Sequence, residues 1–197
     1  MKRLFRITSL AILFVALMAA PALAQSPAEG HHDHQIATDQ LDDDTAFDQL
    51  VRGIHTLPDI QIVEERFPDI TERLIDRATD EDATEFERWR ATSLLGNFQE
   101  PDVKEALLEL TGEEIDRIRA MAYFVLGAAF LEEGDDQLFE TIKEGLEDED
   151  RRVRERVVRS FRWTDHQGAI ELLNEIARTH EDDSLQSLAE HTLKYRK

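Results

Sequence analysis

A ten-residue pattern recurs four times in the second half of this chain, with copies that begin at Glu87, Ile118, Val153 and Leu185. The copies are spaced by 31, 35 and 32 residues, a period that is typical of helical repeat proteins. In such proteins each repeat buries its apolar side only against the repeats next to it. The spacing therefore predicts a solenoid of stacked α-helical repeats.

Three positions of the pattern keep their chemical character from copy to copy. They are the second position (Arg88, Arg119, Arg154, Gln186), the fifth (Ala91, Ala122, Val157, Ala189) and the ninth (Leu95, Leu126, Phe161, Leu193). The fifth and ninth positions are four residues apart, so they share one side of a helix, which we expect to be buried. An arginine beside that side needs an acidic partner, so we interpret the second position as a structural ladder of ion pairs.

Residues 1–24 have the organisation of an export signal. A basic start (Lys2, Arg3, Arg6) precedes an apolar stretch at 7–20 and the small-x-small sequence 22–24. We expect a signal peptide at 1–24 that is cleaved before Gln25, because the apolar stretch is shorter than the roughly 20 residues of a membrane span. The alternative is an uncleaved anchor.

Cysteine is absent from the sequence, which excludes disulfides and the acylated cysteine of a bacterial lipoprotein. The expected location is the periplasm or the medium, without a membrane anchor after cleavage. Removing the three basic residues of the signal changes the formal net charge from −20 to −23. So acidic a protein is a poor partner for nucleic acid, whose phosphates bind basic surfaces.

The chain after the signal divides into a linker, a cap and four repeats. Residues 25–44 are polar and predict a disordered, acidic, histidine-containing linker. Residues 45–66 predict two short helices that cap the first repeat. The repeats span about 67–98, 99–134, 135–164 and 165–197, which together with the cap give a repeat domain over 45–197.

Each repeat predicts two helices joined by an acidic turn. The first helices are expected at 68–79, 101–110, 136–146 and 167–179. The second helices are expected at 85–98, 115–131, 151–163 and 184–195. Pro68 and Pro101 would occupy the favoured first position of their helices, and the turn carboxylates would cap the second helices.

The clearest copy, with Asp116-Arg117-Ile118-Arg119 followed by Ala122 and Leu126-Gly127, resembles the HEAT repeat family in its short bacterial form. The resemblance extends over about residues 67–197 and is weakest in the last repeat, where Gln186 and Lys194 replace the expected Arg and Gly. It implies an all-α fold, an alpha-alpha superhelix of four helix pairs with an N-terminal helical cap. It also implies that the second helices line a concave face that binds other proteins.

The sequence favours a scaffold without catalytic activity or a cofactor. It has no cysteine nucleophile, no glycine-rich phosphate loop and no His-Glu-x-x-His helix. One enzyme group of the resembling family, the deoxyhypusine hydroxylases, binds iron through His-Glu pairs on successive repeats, whereas only His180-Glu181 has that order here. A divergent HEAT-like enzyme remains an alternative.

A second alternative comes from the linker, in which His31, His32, Asp33 and His34 form a short metal-like tract. Imidazole binds zinc, copper and nickel, so an exported protein could capture such ions there. The opposing interpretation is an exposed tract of weak affinity, because a linker cannot hold ligands in a fixed arrangement.

The third second-helix carries six arginines within 12 positions, and three of them share a face with an aromatic residue. That stripe consists of Arg152, Arg156, Arg159 and Trp163. The facing positions on the preceding second-helices are Arg117, Met121, Phe124 and Arg90. Arginine and tryptophan are prominent in binding hot spots, so we predict that these residues bind a protein or peptide with an acidic segment. We expect the protein itself to be a monomer. The alternative is that the arginines only neutralise nearby acidic turns.

Overall fold

The computed structural model describes residues 42–53 and 59–196. Over these two ranges the protein forms ten α-helices and no strand. The predicted all-α helical solenoid is therefore confirmed. The predicted signal peptide at 1–24 and the metal-like tract at 31–34 lie outside the described residues.

Two helices precede the repeats, α1 (Asp43–Arg52) and α2 (Ile60–Arg66). Helix α1 begins two residues before the predicted start of the cap at Thr45. The reason is that Asp42 acts as the N-cap, with its carboxylate accepting a hydrogen bond from the Thr45 backbone N–H at 3.0 Å. Asp43 and Asp44 are thus helical, and Asp44 pairs with Arg73 at 3.3 Å.

Four antiparallel pairs follow the cap. They are α3 (Ile70–Thr79) with α4 (Glu85–Leu95), α5 (Pro101–Leu110) with α6 (Asp116–Val125), α7 (Asp136–Glu144) with α8 (Arg151–Ser160), and α9 (Gln167–Thr179) with α10 (Asp183–Lys194). The second helices α4, α6, α8 and α10 pack on one another in that order.

Several helix ends differ from the prediction. Helix α3 begins at Ile70, because Pro68 keeps Phe67 out of the helical region and a turn follows. Helices α4 and α8 end three residues early, since their chains continue in tighter turns with i→i+3 hydrogen bonds. Examples are Phe98 N–H to the Leu95 carbonyl at 3.0 Å and Trp163 N–H to the Ser160 carbonyl at 3.3 Å.

Two glycines allow neighbouring segments to approach α8 closely. Helix α6 continues as a π-helical turn, Leu126–Phe130, and α7 as a 3₁₀ turn, Gly145–Glu147. A methyl group on Gly127 would lie 2.1 Å from the Ser160 hydroxyl, and one on Gly145 would lie 2.8 Å from Val157. A side chain at either position would therefore force these elements apart.

The repeating apolar positions form the core, as predicted. The fifth position is fully buried in all four copies, and the ninth position is fully buried in the first three. Leu193, the ninth residue of the last copy, is only partly buried. In the described chain, α9 and α8 pack against α10 and cover Leu193 only in part.

The arginines at the second position bind the acidic turns. Arg88 is buried, donates to the Ala78 carbonyl at 3.0 Å and pairs with Glu113 in the turn of the next repeat. Arg119 likewise binds Asp148, in the acidic turn of the next repeat, through two hydrogen bonds of 2.6 and 3.0 Å. The hydrogen bond from Arg119 lowers the pKa of Asp148. We call Arg88, Arg119 and Arg154 the ladder arginines.

The ladder changes toward the end of the chain. Arg154 donates to the carbonyls of Asp148 and Glu149 in its own turn, at 2.6 and 2.9 Å. In the last copy Gln186 takes the place of the arginine.

A buried carboxylate joins the cap to the first repeat. Glu87 accepts a hydrogen bond from Arg52 of α1 at 2.6 Å, lies 3.8 Å from Arg77, and completes a capping box with Thr84. The hydrogen bond from Arg52, followed by those from Thr84, lowers the pKa of Glu87 to about 2.

Candidate functional site

Helix α8 places its arginines on the side away from the core. Asp150 caps the helix by accepting a hydrogen bond from the Arg152 N–H at 2.7 Å. Val153 and Val157 are fully buried, which fixes the rotation of the helix. Arg152 and Arg159 are consequently exposed, and Arg156 is half-buried.

A groove of about 360 Å³ runs along the face of the second helices, from α4 across α6 to α8. Helices α4 and α6 contribute Trp89, Arg117 and Ala120. Helix α8 contributes Arg152, Glu155, Arg156 and Arg159. We call these seven residues the arginine groove.

Three of the groove arginines have carboxylates nearby. Arg152 lies 2.9 Å from Asp116 and 3.6 Å from Asp150. The side chain of Arg152 is nonetheless 67% exposed, so solvent screens its ion pairs strongly.

Arg117 and Arg159 have weaker ion pairs. Arg117 lies 3.5 Å from Glu85, and its guanidinium carbon is 4.5 Å from the centroid of the Trp89 ring. Arg159 lies 3.9 Å from Glu155. All three arginines thus keep much of their hydrogen-bonding capacity toward solvent, because a guanidinium carries five donors.

Arg156 differs from the other three. Among the described residues it forms no ion pair and no hydrogen bond, and its guanidinium carbon lies 5.2 Å from the centroid of the Phe124 ring. Burial lowers the pKa of Arg156, the positive charges of Arg159 and Arg117 lower it further, and Glu155 opposes them. The group still carries its charge near neutral pH, as guanidinium groups do in proteins.

The structure brings together four of the eight residues that the sequence predicted for this surface, namely Arg117, Arg152, Arg156 and Arg159. The other four lie elsewhere. Arg90, Met121 and Phe124 are buried beneath the surface. Trp163 is half-buried and packs edge-to-face on Phe124, with ring centroids 5.5 Å apart.

Sequence analysis missed Trp89, Ala120 and Glu155, although all three occupy the third position of the repeat pattern. Each comes directly after a ladder arginine. Comparing that position between copies would have found them, whereas the prediction followed the arginines of a single helix. The missed residues matter, because they add an aromatic wall and a negative charge to the groove.

The described residues contain no group of three His, Asp or Glu side chains arranged to hold a metal ion. None of their helices combines the length and apolar character needed to cross a membrane. His166 is buried, stacks on Phe139 with ring centroids 4.7 Å apart, and lies 3.1 Å from Asp136. The repeat packing therefore accounts for this histidine.

Comparison with known proteins agrees with the geometry of the helix pairs. The family model for HEAT repeats matches residues 116–194, from α6 to the end of α10. No curated protein matches the chain. The match confirms the resemblance over that stretch and includes every groove residue except Trp89.

Proposed function

We propose, from the premise that residues 116–194 are HEAT repeats, that this protein is a non-enzymatic scaffold that binds another protein in the arginine groove. HEAT repeats are commonly interaction scaffolds, and by the family resemblance their second helices face the partner. The partner is a protein or peptide with an acidic segment.

One observation carries the proposal. Four guanidinium groups and an indole surround a single groove, although the protein has a formal net charge of −20. The rest of the acidic surface repels an acidic partner, whereas the groove offers that partner guanidinium groups, which favours specific over nonspecific contact. Arginine and tryptophan also dominate the energetics of many protein interfaces.

Five of the seven groove residues are charged, which suits a peptide better than an enclosed small molecule. The groove residues are four arginines, an indole, an alanine and one carboxylate, and that carboxylate, Glu155, is paired with Arg151 at 2.8 Å. We therefore assign the groove to binding and not to catalysis.

The place of action in this proposal is the periplasm or the medium. The support is the signal-like sequence at 1–24, which ends in Ala22-Leu23-Ala24. Cell fractionation followed by mass spectrometry of the purified protein tests this point. We expect the exported form to begin at Gln25, and recovery of an intact N-terminus from the cytoplasm would contradict export.

Affinity capture from the cell envelope tests the binding proposal. The bait is the protein from Gln25 onward, compared with Arg156→Gln/Arg159→Gln and with a control, Lys143→Gln/Arg178→Gln. The control removes the same charge from the first helices α7 and α9, outside the groove. Each captured protein is then purified and its affinity for all three baits is measured.

We expect the groove variant to lose at least about tenfold in affinity, corresponding to about 1.4 kcal/mol, while the control matches the wild type. We also expect binding to weaken between about 50 mM and about 500 mM salt. A folded groove variant that binds the same partners with unchanged affinity would contradict the proposal.

A further inference from the structure

Three of the four groove arginines have an ion-pair partner, and the fourth has none among the described residues. Arg152 faces Asp116, Arg117 faces Glu85, and Arg159 faces Glu155, the last two at 3.5 and 3.9 Å. Arg156 makes no such pair with any described residue. Arg156 is therefore the groove arginine whose positive charge no described carboxylate pairs with directly.

Arg156 is placed to receive an anion from the groove side. Its guanidinium rests over the Phe124 ring, and its pKa is lowered by burial and then by the positive charges of Arg159 and Arg117. A half-buried guanidinium without an acceptor in the protein keeps its N–H donors for a ligand. One carboxylate can accept two of these hydrogen bonds at once, in the parallel arrangement that arginine favours.

Glu155 limits how much negative charge the groove accepts. It lies beside Arg156 in the sequence, lines the same groove, and is held by Arg151 at 2.8 Å and Arg159 at 3.9 Å. A ligand with two negative charges would meet this fixed carboxylate, and repulsion between like charges opposes its binding. A ligand with one charge can satisfy Arg156 and keep its distance from Glu155.

The remaining wall is apolar. Ala120 and Trp89 occupy on α6 and α4 the repeat position that Glu155 occupies on α8. A volume of about 360 Å³ lies at the lower end of the range for ligand sites. It suits two or three side chains and not a long acidic run.

We infer that the groove recognises a peptide carrying a single carboxylate next to an aliphatic side chain, with Arg156 as the anion-binding residue and Glu155 excluding doubly charged groups such as phosphoserine. The inference rests on the proposed function and narrows its partner. The carboxylate lies on Arg156, and the aliphatic side chain lies against Ala120 and Trp89.

Three blocked tetrapeptides test the inference, acetyl-Ala-Leu-Glu-Ala-amide and its counterparts with Gln or phosphoserine in place of Glu. Each is titrated to about 10 mM, a range suited to weak ligands. The readouts are the NMR signals of the Arg156 side-chain N–H and the Trp89 indole N–H. The protein variants are Arg156→Gln, Arg156→Lys and Glu155→Gln, each checked for folding by circular dichroism.

In the wild type we expect the Glu peptide to bind at least about fivefold more tightly than the other two. Arg156→Gln should remove the preference for Glu over Gln. Arg156→Lys should retain part of it, because lysine keeps the charge without the two-pronged geometry. Glu155→Gln should improve phosphoserine binding by about threefold or more, with a smaller change for the Gln peptide.

The inference is wrong if no peptide shifts the groove signals, if Glu and Gln peptides bind alike, or if phosphoserine binds the wild type most tightly. The proposed function is tested separately, by capturing partners and measuring whether they bind the Arg156→Gln/Arg159→Gln variant more weakly. Its failure can therefore be distinguished from these outcomes. A partner that depends on Arg156 and Arg159 but does not compete with the Glu peptide would refute only the narrower inference.

Discussion

The ladder arginines and the groove arginines are the same residue type on the same helices, but their surroundings differ. Arg119 is largely buried, donates two hydrogen bonds to Asp148 at 2.6 and 3.0 Å, and also donates to the Glu113 carbonyl at 2.6 Å. Arg156 lies on the groove face and binds no carboxylate among the described residues. The two residues therefore differ in whether a turn carboxylate lies within reach of the guanidinium, as Asp148 does for Arg119.

The largest effect is expected where a ladder pair is broken. Arg119→Gln leaves the mostly buried Asp148 without its cation, and breaking such a pair should lower the free energy of unfolding by about 3 kcal/mol. Urea denaturation measures this loss. The double variant Arg119→Gln/Asp148→Asn should cost less than the two single changes added together, because they remove one interaction. A loss below about 0.5 kcal/mol for Arg119→Gln would contradict the prediction, because it would mean that Arg119 contributes as little to stability as we expect of the groove arginines.

The next effect depends on pH and concerns the buried carboxylate that joins the cap to the first repeat. The pKa of Glu87 is about 2 in the folded protein, below its ordinary value of 4.5. A lowered folded pKa means that this stabilisation is complete above about pH 4.5 and disappears as the pH falls toward 2. Glu87→Gln should therefore be less stable than the wild type at pH 6, and the difference should shrink in acid.

Thermal unfolding of both proteins, from pH 7 down to the lowest pH at which both are folded, measures that difference. Glu72→Gln is a suitable control, because Glu72 is exposed on α3. A difference between wild type and Glu87→Gln that stays constant with pH would contradict the role assigned to the Arg52 and Thr84 hydrogen bonds.

The smallest effect on stability is expected in the groove. Arg156→Gln removes a half-buried cation that has no ion pair with the described residues, so the free energy of unfolding should change by no more than about 0.5 kcal/mol. The loss of packing on Phe124 and the relief of repulsion from Arg159 and Arg117 act in opposite directions. Urea denaturation at two salt concentrations checks this balance. A loss comparable to that of Arg119→Gln would mean that Arg156 is a structural residue.

The sequence predicted the core of each repeat well, because burial follows helical periodicity. Ala122 and Leu126 are both fully buried, and so are their counterparts Val157 and Phe161. The ends of α4 and α8 were predicted less well. Periodicity does not distinguish an α-helix from the i→i+3 turns that continue it.

The groove was only partly predictable for a related reason. Periodicity assigns a residue to a side of its helix, but neighbouring helices decide whether that side is covered. Phe124 is buried because Trp163 and Arg156 of α8 lie over it. The sequence did not identify Trp89 and Glu155 as groove residues. The third repeat positions of α4, α6 and α8 line a common groove only because these helices pack side by side.

The measurement that tests the account most directly is a paired assay of Arg119→Gln and Arg156→Gln. Each variant is unfolded in urea and, while folded at low temperature, titrated with acetyl-Ala-Leu-Glu-Ala-amide. We predict opposite outcomes, with Arg119→Gln losing about 3 kcal/mol of stability but binding like the wild type, and Arg156→Gln keeping its stability but losing the preference for Glu. If both variants lose stability and binding together, the ladder and groove arginines belong to one structural network and the division between them is wrong.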